Sequence, residues 1–286
     1  MDTASLKTKL DALYRNYDRA YLSSDPLMFP RLFSDPVDIE VAGLISASLA
    51  YGRVAMIQRN IRSVLDTMGE HPAEYAREFD VRKGLSDFAD FSHRFNRGED
   101  IALLLSYIRQ MIEREGSIGG FFRVGYDPGA ADIGSSLADF TERALALDCS
   151  PVYSGAAPPK KAGVRYFFPS PTGGSACKRL NLFLRWMVRR DDGLDFGLWD
   201  FVRPSQLVIP LDTHIARICQ LIGLTQRKSA GWPMAVEITE SLKKLDPDDP
   251  VKYDFAICRL GILDKCPAAP LPHKCAACEI KGICER

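Results

Sequence analysis

The chain has 286 residues, with 37 Lys and Arg against 37 Asp and Glu, so its formal net charge is zero. About 46% of the residues are hydrophobic and 26% charged, the balance of a globular protein and not of a disordered one. The length suits one large or two moderate domains, no apolar run reaches the ~18–20 residues of a membrane span, and the polar start MDTASLKTKLDALYRNYDRAYL reads as an amphipathic helix and not as a secretory leader. Taken alone, a neutral total argues against a nucleic-acid partner.

The periodicity is helical nearly throughout. Leu6, Leu10, Leu13, Tyr14, Tyr17 and Tyr21 recur three and four apart and form one apolar stripe. Pro26, Pro30 and Pro36 break the chain, and Asp38 is a candidate cap for a second helix through Val41, Leu44, Ile45 and Leu49. Past Gly52, a third helix carries Val54, Ile57, Ile61, Val64, Leu65 and Met68 on one face. Asp100 opens a further helix through Ile101, Leu104, Leu105, Ile108 and Ile112, and 133–147 form another. Five prolines and the pair Gly173-Gly174 make 148–175 loop or turn. Helices are then expected from Lys178 to Arg190, from Asp212 or Thr213 to a glycine stop at Gly223, and over 232–245 and 250–262. No sustained β alternation and no internal repeat is visible, so the predicted fold class is all-α.

The neutral total hides an uneven chain. Between Pro159 and Arg190 stand eight cations (Lys160, Lys161, Arg165, Lys178, Arg179, Arg185, Arg189 and Arg190) and no acid. Residues 237–254 carry six acids (Glu237, Glu240, Asp246, Asp248, Asp249 and Asp254) against three lysines. Within the basic run, Gly173, Gly174 and Ser175 precede a helix whose first turn holds Lys178 and Arg179. Paired glycines there expose backbone N–H groups that can grip a phosphate oxygen, and positive charge in a first turn opposes the helix dipole unless an anion offsets it. A solvated basic face is the plainer reading. Asp212 follows the apolar approach Val208-Ile209-Pro210-Leu211, which makes it a natural N-cap.

Eight cysteines are present, four of them in the last 21 residues. Cys266, Cys275, Cys278 and Cys284 stand in the spacing C-x8-C-x2-C-x5-C, close enough for several thiolates to converge on one centre. In a reducing cytoplasm such a group reads as a metal site and not as disulfides. Four cysteines suit a [4Fe–4S] cluster or zinc alike. Cys219 and Cys258, on apolar faces, read as small core residues.

Taken together, these segments resemble the helix-hairpin-helix DNA glycosylase superfamily that contains endonuclease III, in a bacterial branch. Gly173-Gly174 with Lys178-Arg179-Leu180-Asn181 looks like the end of the hairpin and the helix of the catalytic lysine. Leu211-Asp212-Thr213-His214-Ile215-Ala216-Arg217 looks like the segment of the catalytic aspartate, and the four terminal cysteines look like the cluster loop, with a first spacing of eight where six is usual. Leu44-Ile45-Ser46-Ala47 and Arg94-Phe95 agree more weakly. The hairpin core departs from Leu-Pro-Gly-x-Gly, and 127–164 and 189–206 look like insertions. The resemblance implies two lobes, 38–207 with a degenerate hairpin and 1–37 with 208–286 bearing the cluster loop 266–284, with Asp212 near their junction.

The implied function is base-excision repair of double-stranded DNA by a monomeric cytoplasmic enzyme. A damaged or mismatched base is flipped out, Asp212 stabilises cationic charge on the sugar, and Lys178 captures C1′ as a neutral amine and supports strand cleavage as an AP lyase. Gly173, Gly174, Ser175 and Arg179 would hold the DNA backbone. Tyr51 is the candidate wedge, with Arg53 beside it, and the cluster loop would present His273, Lys274 and Lys281. Two other readings compete: a non-catalytic DNA- or RNA-binding protein on the same fold, and a zinc protein with a protein partner.

Overall fold

The computed structural model describes residues 3–190, 192–263 and 265–284. Among them the chain is mostly helical, as the periodicity predicts: α1 (Thr3–Asn16), α2 (Pro36–Ser48), α3 (Val54–Met68), α4 (Pro72–Arg77), α5 (Val81–Asp87), α6 (Gly98–Glu115), α7 (Ile118–Arg123), α8 (Gly134–Leu145), α9 (Lys178–Val188), α10 (Thr213–Leu221), α11 (Trp232–Lys243), α12 (Asp254–Ile262) and α13 (Pro272–Ala276). Two strands, β1 (Ser92–His93) and β2 (Asn96–Arg97), form the sheet seen among the described residues, a minimal antiparallel hairpin. No described helix is long and apolar enough to cross a membrane.

The chain divides into two compact units. A central unit takes 22–173 and 198–201, and a terminal unit takes 1–21, 174–197 and 202–286. The expected boundaries at 38 and 207 therefore shift, and α9 leaves the segment to which the sequence assigned it. The reason is electrostatic. Arg185 and Arg189 of α9 find their carboxylates at Asp249 and Asp254, on the C-terminal segment.

In the central unit α2 is buried from Asp38 to Ser48 and α6 has an inward face from Ile101 to Ile112, and both pack on α4 and α7. The cap of α2 is Asp35 and not Asp38: Asp35 Oδ1 accepts from Val37 N and Asp38 N, and Pro36 occupies the first helical position. Proline is tolerated there because that N–H has no helical partner. Asp38 instead accepts the Ala73 N–H at 2.7 Å. Trp199 and Gly119 close on the buried Glu40, donating from Nε1 at 2.8 Å and from the backbone at 3.0 Å. Burial pushes the Glu40 carboxyl up, against those hydrogen bonds.

In the terminal unit α1 buries Leu6, Leu10 and Leu13 and packs on α12. α10 packs on α12 as well, and Gly261 allows it: a β-carbon there would stand 2.3 Å from His214 Nδ1. α10 ends at Gly223 (φ +71), where Leu224 N–H donates to Cys219 O at 2.8 Å, the left-handed stop that favours glycine.

Candidate functional site

α9 carries two kinds of cation. Towards its C-terminal end Arg185 and Arg189 are each 2% exposed. Arg185 pairs with Asp195 at 3.2 Å and with Asp254, and Arg189 with Asp192, Asp195 and Asp249 at 2.5–2.9 Å. Burial works against the Arg189 charge, and the surrounding carboxylates more than offset it. Burial also pushes Asp254 up to about 6, although Arg185 pulls it down. The basic run is thus not one solvated face. Two of its arginines, Arg185 and Arg189, are neutralised inside the fold, and two of their carboxylates come from the acidic run.

At the N-terminal end of α9 the arrangement opens. Lys178 Nζ stands 4.0 Å from Asp212 Oδ2, with side chains 32% and 18% exposed. Two residues 34 positions apart are brought to one place by separate means. Lys178 starts α9 after Cys177, whose backbone is left-handed at φ +48 and whose side chain is buried. Asp212 is the N-cap of α10: its Oδ1 accepts from His214 N at 2.8 Å and Ile215 N at 2.9 Å. The approach to it is anchored by Ile209 N–H, which donates to Thr239 Oγ1 at 3.0 Å. Oδ1 thus serves the helix, and Oδ2 faces the lysine.

A third side chain joins them that the sequence left in the core. Cys258 of α12 points its sulfur at Asp212 Oδ2 from 3.7 Å. Burial, with Asp212 and Asp254 adding, pushes this thiol well above its ordinary range. Cys219 is fully buried, as expected of a small core residue.

The other residues expected to meet DNA fall in varied settings. Gly173 and Gly174 are exposed, the latter at φ +77, and Ser175 is half-buried, with its Oγ accepting Cys177 N–H at 3.2 Å. Pro171–Gly173 is a 3-10 turn, so no α-helix leads directly into this turn. Arg179 is a correction: it is 7% exposed, because its place in the first turn of α9 points inward, and it does not offer an open phosphate contact. Lys274 is half-buried on the short α13, and His273 and Lys281 are exposed.

Tyr51 is a support and not a protruding wedge. Its hydroxyl lies 2.8 Å from His93 O and 2.5 Å from Asn96 Oδ1, and its carbonyl meets His93 Nε2 at 2.9 Å. What it supports is the β1–β2 turn, where Arg94 is held at φ +54. Phe95 at the tip is 62% exposed and Tyr166 beside it 39%; their rings lie 5.5 Å apart, and the Arg94 guanidinium sits 5.3 Å over Phe95. Arg53 is exposed and starts α3. The protruding aromatic of the central unit is therefore Phe95. Its signal in the sequence was an aromatic next to arginine between two polar turns.

The four terminal cysteines line one cavity of about 60 Å³, together with Lys265, Pro267, Ile280, Lys281 and Gly282. Cys266 is buried and the other three half-buried. Burial and the three neighbouring thiols push the Cys278 thiol up. Arg217 of α10 reaches the loop: its Nη1 donates to Cys266 Sγ at 3.2 Å and Pro267 O at 3.1 Å, and its Nη2 to Cys266 O at 2.5 Å. Among the described residues no three His, Cys, Asp or Glu side chains close on a point as one bound ion requires. Four thiols around one cavity, with the Arg217 N–H aimed at the Cys266 sulfur, are donors that an iron–sulfur cluster and zinc both take.

No curated protein matches the chain, and no solved structure matches it either. A family model does, over residues 25–263, with the description "Protein of unknown function (DUF2400)". The matched stretch includes Lys178, Asp212 and Cys258 and stops three residues short of Cys266. Because the match covers most of its length, the chain belongs to the DUF2400 family.

Proposed function

We propose that this protein is a DNA glycosylase with AP-lyase activity, on a helix-hairpin-helix glycosylase-like fold, acting on double-stranded DNA in the bacterial cytoplasm. The observation that carries the reading is the 4.0 Å approach of Lys178 Nζ to Asp212 Oδ2 at a half-exposed place. An amine and a carboxylate at that separation supply what release of a base and capture of the sugar require.

In this mechanism a damaged or mismatched base leaves the stack. Lys178 first sheds its proton, with Asp212 Oδ2 the acceptor within reach. Its Nζ lone pair then bonds to C1′ as the C1′–N bond breaks, and the base departs with the bonding electrons and takes from Asp212 the proton that Lys178 gave up, which restores the carboxylate. Asp212 opposes the cationic charge that develops on the sugar. Loss of one proton from Nζ, with protonation of the ring oxygen as its bond to C1′ opens, leaves a protonated imine between Nζ and C1′. Removal of a C2′ proton then expels the 3′ phosphate and cuts the strand.

Phe95, Tyr166 and Arg94 form a stacking surface of the kind that takes an unstacked base, and Gly173 and Gly174 offer backbone N–H groups to phosphate. Cys266, Cys275, Cys278 and Cys284 would hold a [4Fe–4S] cluster, with zinc the alternative. When bound, the cluster supplies order to the loop and enters no step of the reaction. A brown protein supports it, since zinc is colourless.

One observation favours a second reading, a nucleic-acid-binding protein without catalysis: Asp212 already has a structural role as a cap. The two readings separate on a panel of lesion-bearing and abasic-site duplexes. The enzyme releases a base from at least one duplex and cuts the abasic one. Asp212→Asn then slows base release with DNA affinity kept. Binding without either reaction, on every duplex, supports the second reading.

A further inference from the structure

We infer that Cys258 is a positioning residue of the Lys178–Asp212 site, whose thiol donates to Asp212 Oδ2 and keeps that oxygen in place while the lysine is engaged with the sugar. The inference rests on the lyase reading of the pair. Oδ1 of Asp212 is already committed to two backbone N–H groups of α10. Only Oδ2 is left to act, and two side chains converge on it: Lys178 Nζ at 4.0 Å and Cys258 Sγ at 3.7 Å.

The two donors differ in what the reaction does to them. Lys178 arrives as a cation and ends bonded to carbon, so its attraction for Oδ2 changes during turnover. The thiol is neutral at every stage. The charged groups around it are Asp212 on α10, Asp254 and Arg259 on its own helix, and Lys178 on α9. Burial and the two carboxylates outweigh the two cations, so the group stays S–H. A thiol that keeps its proton is a poor nucleophile, which assigns it to holding and not to attack. A thiol is also a weak donor. It can therefore orient the carboxylate and leave most of its negative charge available to the sugar.

Cys258→Ala removes the donor and Cys258→Ser replaces it with a hydroxyl. On a duplex with one abasic site under single-turnover conditions, Cys258→Ala should cut the strand about tenfold more slowly, the loss of one hydrogen bond that matters in the transition state. Affinity for the same duplex should stay within about twofold of the unaltered protein, and Cys258→Ser should recover to within about threefold. Alanine as fast as the unaltered protein overturns the inference, and so do serine and alanine equally slow, because packing alone would then explain the loss.

A second measurement needs no catalysis. Alkylation of Cys258 by iodoacetamide is followed by mass spectrometry in the unaltered protein and in Asp212→Asn. Loss of the carboxylate's charge should speed labelling several-fold, because it eases ionisation of the thiol. An unchanged rate overturns the pairing. If no duplex is cut by the unaltered protein, the lyase reading fails, and the labelling rate alone then decides whether Cys258 is coupled to Asp212.

Discussion

The two ends of α9 hold the same chemistry in opposite states. At one end Arg185 and Arg189 meet four carboxylates, nearly all of it buried. At the other, one lysine meets one carboxylate at 4.0 Å, part-exposed, with a thiol on the same oxygen. The first end is saturated, and every charge there is spent on holding α9 to the segments after it. The second end is more open: it brings one part-exposed amine to a carboxylate oxygen that no helix needs. A cluster that cannot rearrange builds the fold, and a pair that can rearrange is where reaction belongs.

The contrast can be broken by substitution, starting where the effect is largest. Arg189→Leu strands Asp192 and Asp249 without their cation and leaves Asp195 to Arg185 alone, and should cost about 3–5 kcal/mol in urea unfolding. A loss below about 1 kcal/mol would mean that the buried network is not what holds α9.

Asp254 gives a pH test of the same network. Its folded value of about 6 lies above the ordinary 3.8, so the folded state binds this proton more tightly than the unfolded one. The stability it contributes is full below about pH 4 and is lost as pH rises through about 6. The stability of the unaltered protein minus that of Asp254→Asn should therefore fall over this window, by on the order of 1–3 kcal/mol. A difference that is flat or that rises contradicts the assignment.

Asp212 separates cap from chemistry. Asp212→Ala should cost about 1 kcal/mol, whereas Asp212→Asn, an equally good cap, should cost a few tenths of that. Both should slow base release. If asparagine keeps it, the carboxylate charge is not needed and the cap is the whole role. Smallest in stability is Lys178→Ala, which should change unfolding by less than about 1 kcal/mol, as a part-exposed pair does, yet abolish strand cleavage.

Much of the helical architecture was legible because its determinants are local. Ile101, Leu104, Leu105, Ile108 and Ile112 repeat at helical spacing and are buried as that spacing demands. Asp212 caps a helix because an apolar approach and a good cap residue stand together. What was not legible depends on partners distant in sequence. Nothing near Arg185 or Arg189 says that Asp249 and Asp254 will neutralise them, so a buried network read as part of a basic face. Cys258 sat on an apolar stripe like any core cysteine, and only the packing of α12 on α10 brings it to Asp212. The hairpin of β1 and β2 is too short to show alternation, which hid Phe95 behind Tyr51. The cap of α2 was legible and misread, since Asp35 before Pro36 is a stronger signal than Asp38 after it.

The neutral total is explained in part by the same network. Opposite charge runs, far apart in sequence, meet inside the terminal unit and cancel there. The surface charge available to a polyanion is therefore smaller than the basic run suggests, and binding to DNA should be modest and salt-dependent.

The central claim is that Lys178 bonds to the sugar. The direct test is borohydride reduction during incubation with an abasic-site duplex, followed by peptide mapping of any protein–DNA adduct. The account predicts a covalent adduct whose modified residue is Lys178 and which Lys178→Ala does not form. An adduct mapped to another lysine, or none at all from protein that binds the duplex, would contradict it.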